Sequence, residues 1–159
     1  MKVYHGSNKI IKTPDVLHTL RLLDFGEGFY VTTNKEQAER WARRKVYSAG
    51  TGVATLNEYD LSDDINDFKV KDFNEDLYEW IDFVCKCRRG DDIFKNYDVI
   101  FGKVANDKVF RVVNLYFKGI WDKERTIKEI KAYPHYDQFA FITQKAIDKL
   151  LTYVASYKI

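Results

Sequence analysis

The chain has 159 residues, a hydrophobic fraction of 45% and a net charge of +2, from 26 Lys and Arg against 24 Asp and Glu. That is the size of one domain with apolar side chains enough for a core, and it excludes an intrinsically disordered chain. Eight Gly and two Pro exclude collagen-like and Pro-rich linker sequences, and so small a net charge gives no electrostatic case for nucleic-acid binding.

No apolar run approaches the roughly 18 residues of a membrane span. Met1–Gly6 opens as a strand without the apolar stretch of a signal peptide. The expectation is a soluble, cytoplasmic protein with no membrane partner. Cys85 and Cys87 are too close together for a disulfide framework and lack the further Cys or His ligands of a zinc site, so they read as reduced thiols with no metal.

In chain order, Val3–His5 reads as a strand, and Asn8 to Leu23 is mixed, with Pro14 stopping any helix. Asp24-Phe25-Gly26-Glu27-Gly28-Phe29-Tyr30-Val31-Thr32-Thr33 reads as a glycine loop entering a strand. Thr33-Asn34 offers an N-cap to a helix over Lys35–Lys45, where Ala38, Trp41 and Ala42 share a face. A second strand follows at Val53–Leu61. Glu58 to Asp82 holds ten Asp or Glu against Lys69 and Lys71, and the spacing of Leu77, Trp80, Ile81 and Val84 predicts an amphipathic helix over Asn74–Lys86. Arg88 to Asp92 reads as a turn whose arginines are either solvated or meet a phosphate. Tyr97–Phe101 and Val109–Phe117 read as strands joined by Gly102 to Lys108. Lys123–Lys131 is a short charged helix, Gln138–Thr143 a strand, and Gln144–Tyr153 a closing helix. Strands mixed with helices, without regular βαβ units or any linker, predict a single α+β domain over 1–159.

Three segments stand out chemically. Tyr4-His5-Gly6-Ser7 puts an imidazole next to backbone that other groups can approach closely. The Gly-x-Gly loop delivers Tyr30, and Trp41 follows eleven residues later on the next helix, so that a strand and the helix folding back on it can face two rings across a slot for a flat heteroaromatic ring. Pro134-His135-Tyr136-Asp137-Gln138-Phe139 enters the last strand, where alternation turns Asp137 and Gln138 to opposite faces. Asp24 suits either a loop cap or a site residue, and Asp107, beside Asn106, suits either turn chemistry or the lining of a cleft. Arg40, Arg43, Arg44 and Lys45 form a cationic cluster that could face an acceptor.

These motifs, in this order and spacing, resemble the His-Tyr-Glu branch of the ADP-ribosyltransferase superfamily, which includes diphtheria-type toxins and poly(ADP-ribose) polymerases. The chain is still more similar to a bacterial family of uncharacterised domains placed in that superfamily, over nearly its whole length. The resemblance implies a split β-sandwich with peripheral helices and NAD⁺ as substrate in its cleft, without a metal. His5 would hold a ribose hydroxyl, and the Gly6 backbone would pair with the nicotinamide carboxamide, with Ser7 beside them. Tyr30 and Trp41 would clamp the nicotinamide ring, and Gln138 falls where the Glu usually stands. The implied activity is mono-ADP-ribosyl transfer to a protein or nucleic-acid acceptor with release of nicotinamide, in a bacterial toxin or phage-defence effector with an antitoxin partner. An amide can hold a hydroxyl but has no useful basicity. Three readings of Gln138 follow: an acceptor that needs no protein base, a base supplied by Asp137, or a degenerate NAD⁺ or ADP-ribose binder. A protein-interaction domain that keeps the fold without the pocket is the remaining alternative.

Overall fold

The computed structural model of the chain describes residues 1–18, 23–73, 76–105, 107–134 and 136–159. Asn74, Asn106 and His135 lie outside them. The elements are β1 (Lys2–Ser7), β2 (Phe29–Val31), α1 (Lys35–Ala49), β3 (Thr55–Leu61), β4 (Val70–Asp72), α2 (Leu77–Arg89), a 3₁₀ turn (Ile93–Asn96), β5 (Val99–Lys103), α3 (Asp107–Phe117), α4 (Lys123–Lys131), β6 (Asp137–Phe141), α5 (Gln144–Leu150) and β7 (Leu151–Lys158). The fold is α+β. Among the described residues, no helix is long and apolar enough to cross a membrane.

Two sheets form. One has the antiparallel order β1-β3-β7, and the other has the order β2-β6-β5-β4 with only β4 and β5 parallel. Strand alternation sorts their side chains into layers. Val3 of β1, Tyr59 and Leu61 of β3, Phe29 and Val31 of β2, Val99 of β5 and Phe141 of β6 make one core between the sheets. Tyr30, Ile100 and Ala140, on the opposite face of the four-stranded sheet, join Phe25 and the apolar faces of α2, α3 and α4 in a second core built around Trp80. Helix α1 packs against β1 on the outer face of the three-stranded sheet, where Gly6 lies beneath Ala38 and Ala42.

Local chemistry sets the helix starts. The side chains of Asn34, Asp76, Asp122 and Thr143 each accept from a backbone N–H in the first turn of α1, α2, α4 and α5. Asp137 fixes the turn from β2 into α1 by accepting from Thr32 Oγ1 (3.0 Å), from Thr33 N (2.8 Å) and from Thr33 Oγ1.

The structure corrects four local expectations. Val109–Phe117 is helical, because Val109, Val112, Val113 and Tyr116 at i, i+3, i+4 and i+7 all turn onto the α2–α4 core. Asp107 therefore opens a helix and is not part of a loop between strands. The closing helix stops at Leu150, and the chain continues directly as β7 along β3. Arg88 and Arg89 belong to the last turn of α2, where Arg88 is paired and largely buried. The three-residue β4 carries too little pattern to be read from sequence. Cys85 and Cys87 are both reduced and buried, and burial pushes the Cys87 thiol up to about 12.

Candidate functional site

The two sheets touch edge to edge through one bridge. Tyr4 and Thr32 exchange both backbone hydrogen bonds, at 2.8 and 3.0 Å, and no further β1–β2 pair forms among the described residues. Strand backbone groups alternate in direction, so the N–H and C=O of Gly6 point to the same side as those of Tyr4, and those of Tyr30 to the same side as those of Thr32. Gly6 and Tyr30 therefore face one another across the place where the strands part. There the Tyr30 carbonyl takes His5 Nδ1 at 2.6 Å.

That contact fixes the chemistry of His5. A carbonyl only accepts, so Nδ1 carries the proton and Nε2 of the neutral ring is an acceptor. Nε2 is shut off from solvent and has no partner, although the residue as a whole is half-buried. The ring lies against Phe29, with centroids 4.4 Å apart and planes at 24°. Burial holds the imidazole down at about 4, against the Tyr30 carbonyl and with help from Lys45.

A pH dependence follows. Unfolded His5 takes up a proton below its ordinary value of 6.5, whereas the folded ring stays neutral until about 4. Its contribution to stability is complete above pH 6.5 and is lost as the pH falls towards 4, to the extent of roughly 3 kcal/mol. Urea unfolding across this window should show the slope in the wild type and a reduced slope in His5→Gln. Identical slopes would mean that His5 titrates in the folded state as it does in the unfolded one.

Gly6 is required by packing as well as by its place at the split. A Cβ there would stand 1.9 Å from the Ala38 carbonyl oxygen and 2.6 Å from Ala42 N. Ser7 is buried at the end of β1 opposite Thr55, with its backbone directed to β3 and not to the split.

Tyr30 and Trp41 differ in character. The Tyr30 ring belongs to the core at 7% exposure, and its hydroxyl donates to the Gly26 carbonyl (2.7 Å) and accepts from Phe25 N (3.1 Å). The glycine loop thus wraps the phenol, and Gly26 turns with φ of 78°, a conformation that a side chain would strain. Burial and the nearby Asp24 charge drive the phenol well above its ordinary range. Trp41 is half-buried on α1 and makes no ring contact with Tyr30. One wall of the expected clamp is accessible and the other is packed into the core.

Gln138 and Asp137 do turn to opposite faces of β6. The Gln138 side chain is buried, and its Nε2 donates to Asp24 Oδ2 (3.2 Å) and to the Lys103 carbonyl (3.1 Å). Asp24 also takes Arg88 Nη2 (2.6 Å) and Ala105 N (3.0 Å), so it is neither a simple loop cap nor an exposed acid. Spacing alone could not pair Asp24 with Arg88, since 64 residues separate them. In the cationic cluster of α1, Arg40 lies over Tyr136 (4.8 Å) and Arg43 approaches Glu39. Open hollows of about 310 and 440 Å³ lie elsewhere, one between α2 and α3 around Cys85, Arg89 and Tyr116, the other around Pro14, Gln144 and Asp148.

No curated protein and no solved structure matches the chain. A family match runs from residue 1 to residue 153, from the first strand into the last, and takes in every residue of the site just described. On that coverage the chain belongs to the family described as a protein of unknown function (DUF3990).

Proposed function

We propose that this chain binds NAD⁺ at the split between its two sheets and transfers the ADP-ribosyl group to a macromolecule, releasing nicotinamide. The observation that carries the reading is His5 Nε2, a neutral acceptor closed to water and without a partner, beside strand edges that stop pairing after Tyr4 and Thr32. Buried acceptors without partners are uncommon, and a sugar hydroxyl satisfies one directly. The other groups fit the same ligand. A carboxamide both donates and accepts, as do the adjacent N–H and C=O of Gly6, and the half-buried Trp41 offers a stacking wall. The function of these residues is to hold leaving group and sugar in position, a contribution of orientation and not of acid catalysis. A role as a cytoplasmic toxin or phage-defence effector with an antitoxin partner is supported by the family resemblance of the motifs.

Incubation with labelled NAD⁺ and separated protein, DNA and RNA pools tests the reading, with His5→Ala alongside. Label should enter one pool with the wild type and fall by at least about tenfold with the variant, the equivalent of one lost hydrogen bond. Labelling that His5→Ala leaves intact would remove His5 from the site.

A second reading has its own support. The carboxylates nearest Gln138 are both engaged, Asp24 by Arg88, Ala105 and Gln138, and Asp137 by Thr32 and Thr33. A site without a disengaged base suits an NAD⁺ or ADP-ribose binding module. Binding without transfer to any pool would favour it.

A further inference from the structure

Asp24, in the loop ahead of β2, gathers three other parts of the chain. Arg88 reaches it from the end of α2, Ala105 from beyond β5, and Gln138 from β6. The ion pair with Arg88 is well buried, at 13% and 14% side-chain exposure, and the guanidinium also lies over Phe110 at 4.4 Å. The second N–H of Gln138 goes to the Lys103 carbonyl, which also accepts from Trp80 Nε1 (3.0 Å).

This arrangement decides what residue 138 can be. A carboxylate and a peptide carbonyl accept and cannot donate, so the side chain between them has to supply two N–H groups from one atom. Glutamine does so. An ionised glutamate supplies none and would set a second negative charge beside Asp24. The same two acceptors orient the amide, since with both N–H groups engaged only Oε1 is left to meet a ligand. Oε1 accepts from no described residue.

We propose that Asp24 is a positioning residue of the site, which fixes Gln138 so that its amide oxygen receives a ribose hydroxyl and which commits that position to an amide. The proposal rests on the NAD⁺ reading above. It explains the absence of glutamate from position 138 by local hydrogen-bond demand and not by decay of the site. It also implies an acceptor that arrives already nucleophilic, such as an ionised carboxyl group or a nucleobase nitrogen, because each neighbouring carboxylate already accepts three hydrogen bonds from the protein.

The test is Gln138→Glu, with and without Asp24→Asn, followed by melting temperature and by NAD⁺ binding from about pH 5 to about pH 9. The charged and titratable groups facing Asp24 are Arg88, the Tyr30 phenol and the Cys87 thiol, and they are common to all the variants. At low pH the protonated carboxyl introduced by Q138E can donate to Asp24 and present its carbonyl oxygen as glutamine does. As the pH rises the two carboxyls cannot both ionise at this separation without repulsion. Q138E should therefore melt near the wild type at low pH and below it at high pH, with NAD⁺ affinity falling about tenfold over the same range. Over this range the wild type should show only the His5 slope, a melting temperature that rises with pH, and no fall in NAD⁺ affinity, and Asp24→Asn should bring both curves of Q138E back parallel to the wild type. If D24N does not fold, the pH-dependent gap between Q138E and the wild type is the deciding measurement. Parallel melting curves for Q138E and the wild type would overturn the proposal and leave the NAD⁺ reading standing. Normal pH-dependent melting with no NAD⁺ binding by the wild type would overturn the NAD⁺ reading, and the positioning role with it.

Discussion

Gly6→Ala is expected to displace helix α1 and to lower the melting temperature by roughly 10 °C, the equivalent of about 3 kcal/mol in a domain of this size. The new Cβ would overlap the Ala38 carbonyl oxygen at 1.9 Å and crowd Ala42 N at 2.6 Å. These are backbone atoms in the middle of a helix, and no rotamer change can relieve them. Helix α1 would have to lift away from β1 as a body. Trp41 rides on that helix, between the two alanines that touch Gly6, so the displacement would also move the residue proposed to stack on the ligand. NAD⁺ affinity should fall along with stability. A melting temperature within about 2 °C of the wild type would show that the helix is not seated on Gly6 as described.

The second large effect is at Tyr30, where two substitutions separate ring from hydroxyl. Tyr30→Ala empties a buried ring position between Phe25 and the sheet, at a cost of about 4 kcal/mol. Tyr30→Phe keeps the ring but leaves the Phe25 N–H and the Gly26 carbonyl without their partner, at a cost of about 1–2 kcal/mol. Loss of NAD⁺ turnover in Tyr30→Ala would therefore report on the fold as much as on the site, and Tyr30→Phe is the informative variant. Turnover within about twofold of the wild type would assign the phenol to anchoring the glycine loop. A loss far larger than the drop in stability would bring the hydroxyl, or the loop it holds, into contact with substrate.

On the proposed NAD⁺ reading, His5 and Gln138 would have related tasks, approached from different sides. His5 comes from the face of β1 that meets the inter-sheet core, and is set by a carbonyl of β2. Gln138 comes from the helix-covered face of β6 and is set by Asp24 and the Lys103 carbonyl. Each is neutral, each has its donors engaged by the protein, and each is left with an acceptor. Two oriented neutral acceptors complement the hydroxyl groups of a sugar, and they bring no strong base with them.

Much of this was legible along the chain. The strand at Val3–His5, the helix after Asn34 and the helix from Lys123 follow from caps and periodicity that depend on only a few neighbouring residues. The opposite orientations of Asp137 and Gln138 followed from the two-residue repeat of a strand, and the loop character of Gly26 to Gly28 from its glycines. Val109–Phe117 misled because β-branched and aromatic residues favour strands locally, although the i, i+3, i+4, i+7 spacing of its buried residues was present in the sequence.

By itself, then, the sequence determined the residues available to the site, the local elements that carry them and the side of each strand on which they fall, because these depend on short-range sterics and periodicity. Only the tertiary structure decided that β7 is a strand, since that segment becomes one by pairing with β3 roughly a hundred residues away. It alone decided that the Tyr30 hydroxyl is spent on the glycine loop, that Gly6 lies against a helix and that Asp24, Arg88 and Gln138 form one network. Such contacts are set by which surfaces meet once both cores have closed, and the hydrogen-bond demand of a buried carboxylate is visible only when its neighbours are in place.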